Sequence, residues 1–309
     1  MPRFGNMKSA KYLAILNITP DSFSDGSKDF CDLGWLLDKA EKLMESGAYA
    51  LDVGAESTRP DAEPVSAIEE YQRLENFLKI FCSKYDFPLS IDTRKYEIME
   101  ALLLEPFFKE KISFLNDVEG FTDERKLELI SKYDKEQKIK LIAMHSKGGV
   151  PPSLKALEVP EDYYLSDYPQ AKNEKAAFEM HLIDFFSRFL DSCENYGIDL
   201  ARVILDPGLG FGKNYNHSYD LIEILPKLKN AENKIMWRSR EFNPEILIGA
   251  SRKSFLGAAL NAENGVREQC ESNSTLAERN MDLDLLTQRY NELCYEAGAN
   301  YFRVHKIIS

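Results

Sequence analysis

The chain has 309 residues, enough for one large domain or two ordinary ones, and its 44% hydrophobic and 29% charged residues are typical of globular proteins. A net charge of -12 argues against general nucleic-acid or acidic-membrane binding, although a small anionic substrate needs only a few local cations. No apolar run approaches the ~18 residues of a membrane span, and the cysteines lack metal-ligand spacing, so we expect a cytoplasmic protein with reduced thiols.

Short apolar runs alternate with helical patterns along the whole chain. The runs predict strands at Tyr12–Leu16, Tyr49–Val53, Pro88–Ile91, Ile112–Leu115, Ile139–Met144, Val203–Leu205, Glu245–Ile248 and Asn300–Val304. Apolar residues at helical spacing predict helices at 33–44, 67–81, about 175–196 and about 274–297, the second after a capping box that begins at Ser66. Eight strand–helix units favour an α/β fold of the closed (β/α)8 TIM-barrel type, as a single domain over residues 1–309.

Two segments do not fit this repeat. Residues 148–173 are rich in glycine and proline and follow the fifth strand, and residues 227–244 are polar and precede the seventh. We interpret both as long loops of the barrel, since neither separates two candidate cores. Neither segment suggests a function.

Polar residues stand at nearly every predicted strand end. They are Asn17, Asp52, Asp92, Asn116, His145, Asp206, Ser251 to Ser254, Arg303 and His305. Any one of the carboxylates could be an ordinary helix cap. Because the carboxyl ends of barrel strands share one mouth, their recurrence predicts a common site there.

The individual groups indicate what such a site could bind. Arg303 and His305 are two apart in a strand, so they point to the same side and could hold a phosphate, unless they are an ordinary surface arginine and a strand-end histidine. Asp92, Asn116 and Asp206 suit a ring edge rich in N–H donors, with metal ligation as the competing use.

Two polar loops and one glycine-rich turn complete the pattern. Residues 17–26 and 57–60 follow the first two strands, and glycines at alternate positions of 208–212 would let a flat ligand approach the backbone. The turn lacks the surroundings of a dinucleotide fingerprint, and no G-x-S-x-G motif supports a hydrolase triad. Asn17 together with phosphate oxygens would suit Mg²⁺.

These stretches together resemble the dihydropteroate synthases, folate-pathway enzymes of the pterin-binding barrel family. The matching stretches are 15–26, 52–60, 90–93, 116–118, 144–145, 205–213, 249–255 and 303–305. The resemblance implies that p-aminobenzoate displaces pyrophosphate from hydroxymethyl-dihydropterin diphosphate, giving dihydropteroate, with Mg²⁺ as cofactor.

The resemblance also assigns roles to residues of this chain. Those implied to hold the pterin or line its wall are Asp92, Asn116, Asp206, Lys253, Met144, Gly210 and Phe211. Those implied at the diphosphate are Asn17 as the Mg²⁺ ligand, Arg303, His305, Thr58 and Arg59. Those implied around p-aminobenzoate are Phe23, Pro60 and Ser254, with Asp25 or Asp21 stabilising positive charge at the reacting carbon. Lys253 and Arg59 are also counted among the catalytic groups.

Two other functions remain open from sequence. One is a barrel that transfers a methyl group from methyltetrahydrofolate to a corrinoid protein, which would not need a diphosphate clamp. Another is a catalytically silent pterin-binding paralogue.

A homodimer could form through the apolar face near Leu283, Leu286 and Leu293, or that face could pack on its own barrel. Ser146-Lys147, after Met144-His145 at the fifth strand, differs from the residues usual in the family.

Overall fold

A computed structural model describes residues 7–19, 33–57, 64–150, 154–156, 158–229, 242–253, 255–256 and 276–308. Its parallel strands close into a barrel in chain order. They are β1 (Lys11–Asn17), β2 (Ala50–Gly54), β3 (Leu89–Asp92), β4 (Ile112–Asp117), β5 (Lys140–Met144), β6 (Val203–Asp206), β7 (Glu245–Ile248) and β8 (Tyr301–Val304). The predicted (β/α)8 fold is confirmed, and each predicted strand lies within two residues of an observed one.

Helices cover the outside of the barrel. They are α1 (Leu33–Glu45), α2 (Ala67–Lys84), α3 (Tyr96–Leu104), α4 (Pro106–Lys109), α5 (Arg125–Tyr133), α6 (Glu174–Asn195), α7 (Tyr215–Lys229) and α8 (Leu276–Glu296). The predicted capping box is half right: Ser66 Oγ accepts from the Glu69 amide at 3.2 Å, but the Glu69 carboxylate pairs with Arg73. The sequence patterns did not predict α3, α4, α5 or α7.

The barrel interior is filled in layers that explain where the polar groups lie. One buried layer consists of Leu13, Ala50, Phe114, Ile142, Ile204, Leu247 and Tyr301. Since side chains alternate across a strand, the residues two positions further along also point inward. On β2, β4, β5, β6 and β8 those residues are Asp52, Asn116, Met144, Asp206 and Arg303. The apolar layer therefore acts as the base on which the polar groups of the mouth are set.

The opposite end of the barrel is closed by an ionic cluster. The Glu245 carboxylate pairs with Lys11 of β1 at 3.2 Å and with Lys140 of β5, and it also accepts from the Tyr301 hydroxyl at 3.2 Å. Strands from opposite sides of the barrel are thus joined below the apolar layer.

The two predicted loops have different outcomes. The described parts of 148–173 contain turns without a helix or strand, as predicted. The prediction for 227–244 began too early, because α7 continues to Lys229, and residues 230–241 lie outside the described part. No helix in the described ranges is long and apolar enough to cross a membrane.

Candidate functional site

The floor of the mouth is built around the Arg303 guanidinium. Its Nε donates to Asp52 Oδ2 and its Nη2 to Asp92 Oδ2, both at 2.5 Å. Asn116 Nδ2 donates to the other oxygen of Asp52 at 3.3 Å. Three neighbouring strands and β8 thus contribute to one network, as expected for inward residues at the same level of a barrel.

Burial changes the acidity of the floor carboxyls. It raises the pKa of Asp92 to about 7, although the Arg303 charge acts in the opposite direction. Burial also raises the pKa of Asp206, while the hydrogen bond from the Gly208 amide to its Oδ1, at 2.8 Å, lowers it. The floor is therefore a water-poor place in which a ligand's N–H donors can replace lost hydration.

Lys253 lies across the floor from Arg303, beside the glycine-rich turn. Its Nζ donates to the Leu209 carbonyl and lies 4.7 Å from the centroid of the Phe211 ring. Gly210 faces the same side chain, since a Cβ there would lie 3.3 Å from Lys253 Cδ. Burial lowers the pKa of Lys253 to about 8, against the opposing attraction of Asp206.

The residue before Lys253 fixes its direction. Arg252 has φ 57°, a left-handed conformation that is costly for a residue with a side chain. Its Nε and Nη2 donate to the two oxygens of Asp284 at 2.7 and 3.0 Å, and its amide donates to Thr287 Oγ1 at 3.1 Å. Helix α8 therefore holds this backbone in the conformation from which Lys253 contacts the glycine-rich turn.

His305 and Arg303 stand at the end of β8, as predicted, but their partners differ. Ser251 Oγ lies 2.9 Å from His305 Nδ1 and also accepts from the His305 amide at 3.1 Å. Arg303 is engaged with carboxylates, as described above. The phosphate role assigned to both residues stays a prediction.

Asn17 ends β1 at the same mouth and is half-buried. Its carboxamide makes no hydrogen bond to the described residues, so its oxygen is available as a ligand. Within those residues no group of three His, Cys, Asp or Glu side chains could hold a metal ion. A site with one protein oxygen fits Mg²⁺, which usually keeps several waters and binds substrate phosphates.

The described region does not contain every predicted site residue. Those that lie outside it are Asp21, Phe23, Asp25, Thr58, Arg59, Pro60 and Ser254. The two ends of the second polar loop are nevertheless fixed: the Val65 amide donates to Glu56 Oε1 at 3.1 Å, and Lys95 Nζ donates to the Val65 carbonyl at 2.7 Å. Lys95 also pairs with Glu56 at 2.9 Å.

Sequence reasoning missed three buried residues next to the predicted set. Asp52 and His145 were both noted at strand ends but not assigned to the site. Asp52 contacts both Arg303 and Asn116. Because side chains alternate along a strand, the inward position of Asp52 on β2 could have been expected. Lys213 and His145 are wholly buried under the glycine-rich turn, with Lys213 Nζ 2.8 Å from His145 Nδ1. No spacing in the sequence predicts this contact.

Fold and geometry define a class: a (β/α)8 barrel enzyme whose mouth combines buried carboxylates, an amide and two cationic side chains. A family model described as pterin binding enzyme matches residues 13–305, so the chain belongs to that family. It is 32% identical to a dihydropteroate synthase of Synechocystis over 82% of this chain and 75% of the relative. It is 30% identical to a type-3 dihydropteroate synthase of Escherichia coli over 97% and 95%, respectively.

Solved structures agree with this relationship. A dihydropteroate synthase from Clostridium difficile, in the presence of pteroic acid, aligns with a TM-score of 0.69 and 28% identity over 99% of this chain and 94% of the other. One from Xanthomonas albilineans with 4-aminobenzoic acid aligns with a TM-score of 0.71 and 26% identity over 97% and 89%. The predicted family and the predicted synthase function in folate biosynthesis are confirmed.

Proposed function

We propose that the barrel mouth binds hydroxymethyl-dihydropterin diphosphate and p-aminobenzoate side by side and joins them. The arylamine nitrogen attacks the methylene carbon, a C–N bond forms while the C–O bond breaks, and pyrophosphate leaves with the electron pair. The amine gives up one proton to solvent. The observation that carries this proposal is the convergence of a hydrogen-bonding floor and two cationic side chains, Lys253 and Arg303, at one mouth.

The pterin end of the proposal rests on the floor. Asp92, Asn116 and Asp206 would bind the ring's N–H donors, because Asn116 and Asp206 are buried, Asp92 is only 11% exposed, and their oxygens lack full hydration. Lys253 would donate to the ring's acceptor atoms, and Met144, Gly210 and Phe211 would pack on its faces.

The diphosphate end rests on Arg303, His305 and Asn17. Arg303 Nη1 makes no hydrogen bond to the described residues and so can donate to an anion above the floor. Asn17 would hold Mg²⁺ together with diphosphate oxygens, as its available carboxamide oxygen suggests. Mg²⁺, when bound, supplies positive charge to the leaving pyrophosphate.

The two loops would complete the site around p-aminobenzoate. The residues assigned to them by family resemblance are Phe23, Pro60, Thr58, Arg59 and Ser254, with Asp25 or Asp21 near the reacting carbon. An arylamine is already nucleophilic near neutral pH, so positioning and exclusion of water supply most of the acceleration. Because a Yersinia pestis dihydropteroate synthase has been crystallised with a sulfonamide drug, we expect sulfonamides to compete with p-aminobenzoate here.

Cytoplasmic location and a homodimer remain part of the proposal. The dimer would use the exposed side of α8, where Leu293 is 43% exposed. Sedimentation of the purified chain at several concentrations measures the second point directly.

The reaction is tested by following pyrophosphate release from the pterin diphosphate. We expect release only when both p-aminobenzoate and Mg²⁺ are present, and loss of pterin binding in Asp206→Ala, since each unpaired buried donor costs about 1–3 kcal/mol. Pterin binding without release in the wild-type chain would instead indicate a silent paralogue. Unchanged pterin affinity in Asp206→Ala would remove that residue from the floor.

A further inference from the structure

A segment without an assigned role packs against the glycine-rich turn. We name residues 158–173, between β5 and α6, the strap. The Tyr164 side chain in its middle is fully buried, and its hydroxyl donates to the Gly212 carbonyl at 2.9 Å. Beside it, the Pro160 carbonyl accepts from Asn214 Nδ2 at 3.3 Å. Two hydrogen bonds to backbone carbonyls thus join the strap to the segment that carries Gly210 and Phe211.

The strap is itself held firmly by Glu174, the first residue of α6. The amides of Tyr164 and Leu165 donate to its two carboxylate oxygens at 2.8 and 2.7 Å. His217 Nε2 lies 2.7 Å from Glu174 Oε1, which ties the same carboxylate to α7. The position of the Tyr164 hydroxyl is therefore determined by two helices and not by the turn alone.

Lys213 also binds the backbone of the turn through its side chain. It is wholly buried, and no carboxylate among the described residues lies within ion-pair distance of its Nζ. The Nζ donates to the carbonyls of Phe211 at 3.0 Å and of His145 at 3.3 Å, and it lies 2.8 Å from His145 Nδ1. Burying a lysine without an acidic partner costs free energy, and the hydrogen bonds that its Nζ makes to backbone carbonyls offset part of that cost.

The turn has almost no freedom to move towards β5. Gly208 and Gly212 have φ 67° and 65°, and a Cβ on them would lie 1.9 Å from the His145 carbonyl oxygen and 2.1 Å from that of Lys147. On its other side, the turn presents the Phe211 ring to Lys253. A shift of the turn would therefore move Gly210 and Phe211 relative to Lys253, whose neighbour Arg252 is held by α8.

We propose that Tyr164 and Lys213 are positioning residues for the pterin site. They donate to the carbonyls of Gly212 and Phe211, and so set the distance between the Phe211 ring and Lys253. This inference rests on the proposed function for its effect on substrate, but the fixing of the turn does not depend on it. The strap that the sequence left unexplained is then an outer support of the substrate wall.

The test compares two adjacent tyrosines that differ in one hydrogen bond. Tyr164→Phe removes only the hydroxyl bound to Gly212. Tyr163→Phe is the matched control, because the Tyr163 hydroxyl makes no hydrogen bond to the described residues although its ring also lies beside Lys147. We expect Tyr164→Phe to raise KM for the pterin diphosphate roughly five- to tenfold, with a smaller change in kcat and an unchanged KM for p-aminobenzoate.

A second readout requires no substrate. Amide hydrogen exchange of residues 208–214, measured by mass spectrometry, should be faster in Tyr164→Phe than in wild type, with other segments unchanged. Tyr163→Phe should match wild type in both measurements. Lys213→Met, which removes the hydrogen bonds from Nζ to the Phe211 and His145 carbonyls, should accelerate exchange in the same segment.

Two results would overturn the inference. One is an amide exchange rate at residues 208–214 of Tyr164→Phe that equals the wild-type rate. The other is an equal rise in KM for both substrates in the two phenylalanine variants. If the wild-type chain makes no dihydropteroate, the proposed function fails, but the exchange measurement still decides whether the strap fixes the turn.

Discussion

At the scale of single residues, the Arg303 guanidinium can bind the carboxylates of the floor or an anionic substrate. It is bound between Asp52 and Asp92, which the apolar layer below holds in place, and it faces the mouth where an anionic substrate would enter. Burying two carboxylates this closely is tolerable only because the guanidinium lies between them. Arg303 is therefore both a structural counter-ion and a candidate substrate ligand.

Removal of this counter-ion should destabilise the fold in a pH-dependent way. We expect Arg303→Met to lower the free energy of unfolding by roughly 3 kcal/mol at pH 7.5, the lower end for a broken buried pair because the Arg303 side chain is 23% exposed. The pKa of Asp92 is already raised to about 7. Because the Arg303 charge lowers the pKa of Asp92, its removal should raise that pKa further; the deficit should shrink as pH falls towards 5, where the carboxyl is neutral in both proteins.

Urea unfolding at pH 7.5 and pH 5 measures this effect. Arg303→Lys is the control, since it keeps a positive charge between the carboxylates. A deficit of equal size at both pH values would show that lost packing, and not unpaired charge, is responsible.

Lys253 should give the enzyme an alkaline limit. Burial lowers the pKa of this lysine to about 8. Above that pH its ammonium group loses the proton, so affinity for the pterin diphosphate and kcat/KM should fall. Arg keeps its charge at any accessible pH, so in Lys253→Arg the decline should vanish from the range of pH 7 to 9.5, even if the variant is slower overall. A decline of unchanged midpoint in that variant would assign it to another group.

At the scale of elements, the glycine-rich turn offers a matched comparison. Gly212 and Gly197 have φ 65° and 68°, but a Cβ on Gly212 would meet the Lys147 carbonyl, whereas one on Gly197 meets nothing within 4 Å. Alanine should cost about 1–2 kcal/mol of backbone strain at both positions. At Gly212 the clash should add about 1–3 kcal/mol.

Chemical denaturation of Gly212→Ala and Gly197→Ala gives the two free energies of unfolding. Their difference isolates the close approach of the turn to β5, because the backbone conformations are nearly equal. If the two variants were equally stable, the turn would have room that the structure does not show.

The strands were predictable and several helices were not, for a physical reason. Parallel strands are covered on both faces, so their sequences are short continuous apolar runs with sharp ends. Helix α5 has nine residues, too few for a clear period, and α3 carries apolar residues on most of its surface. The strap was correctly predicted as a loop, but the burial of Tyr164 depends on contacts with residues far away in the sequence.

At the scale of the whole molecule, the barrel has an ionic cluster at the end away from the site. Burial raises the pKa of Glu245, but hydrogen bonds from Lys140 and Lys11 outweigh it and leave the pKa lower than usual. A carboxyl of this kind contributes stability above its unfolded pKa and loses it as pH falls. The cluster links β1, β5, β7 and β8, and so helps to close the barrel.

Glu245→Gln should therefore be less stable than wild type at neutral pH and equally stable in acid. We expect a loss of about 1–2 kcal/mol at pH 7, because two lysines and a tyrosine lose a charged partner that is partly exposed. The difference should disappear between about pH 5 and pH 3. Thermal unfolding across this range checks it, with pterin affinity at pH 7 as the control that the distant site is intact.

The convergence of the site was predictable in outline because a parallel barrel brings all strand ends to one face. From motif and register one can expect Asp92, Asn116 and Asp206 near Arg303. What could not be predicted was pairing: Arg303 takes two carboxylates, and Lys213 is buried beside His145 without an acid. Such choices depend on angstrom-level packing that the order of residues does not encode locally.

The acidity of Asp92 has a consequence for measured heats. In the proposed complex a carboxyl whose pKa is raised to about 7 would ionise on accepting the ligand's N–H groups, so pterin binding would release part of a proton into the buffer. The apparent enthalpy of association will then differ between phosphate and Tris solutions at the same pH. Calorimetric values for this enzyme acquire meaning only after extrapolation to a buffer with zero heat of ionisation.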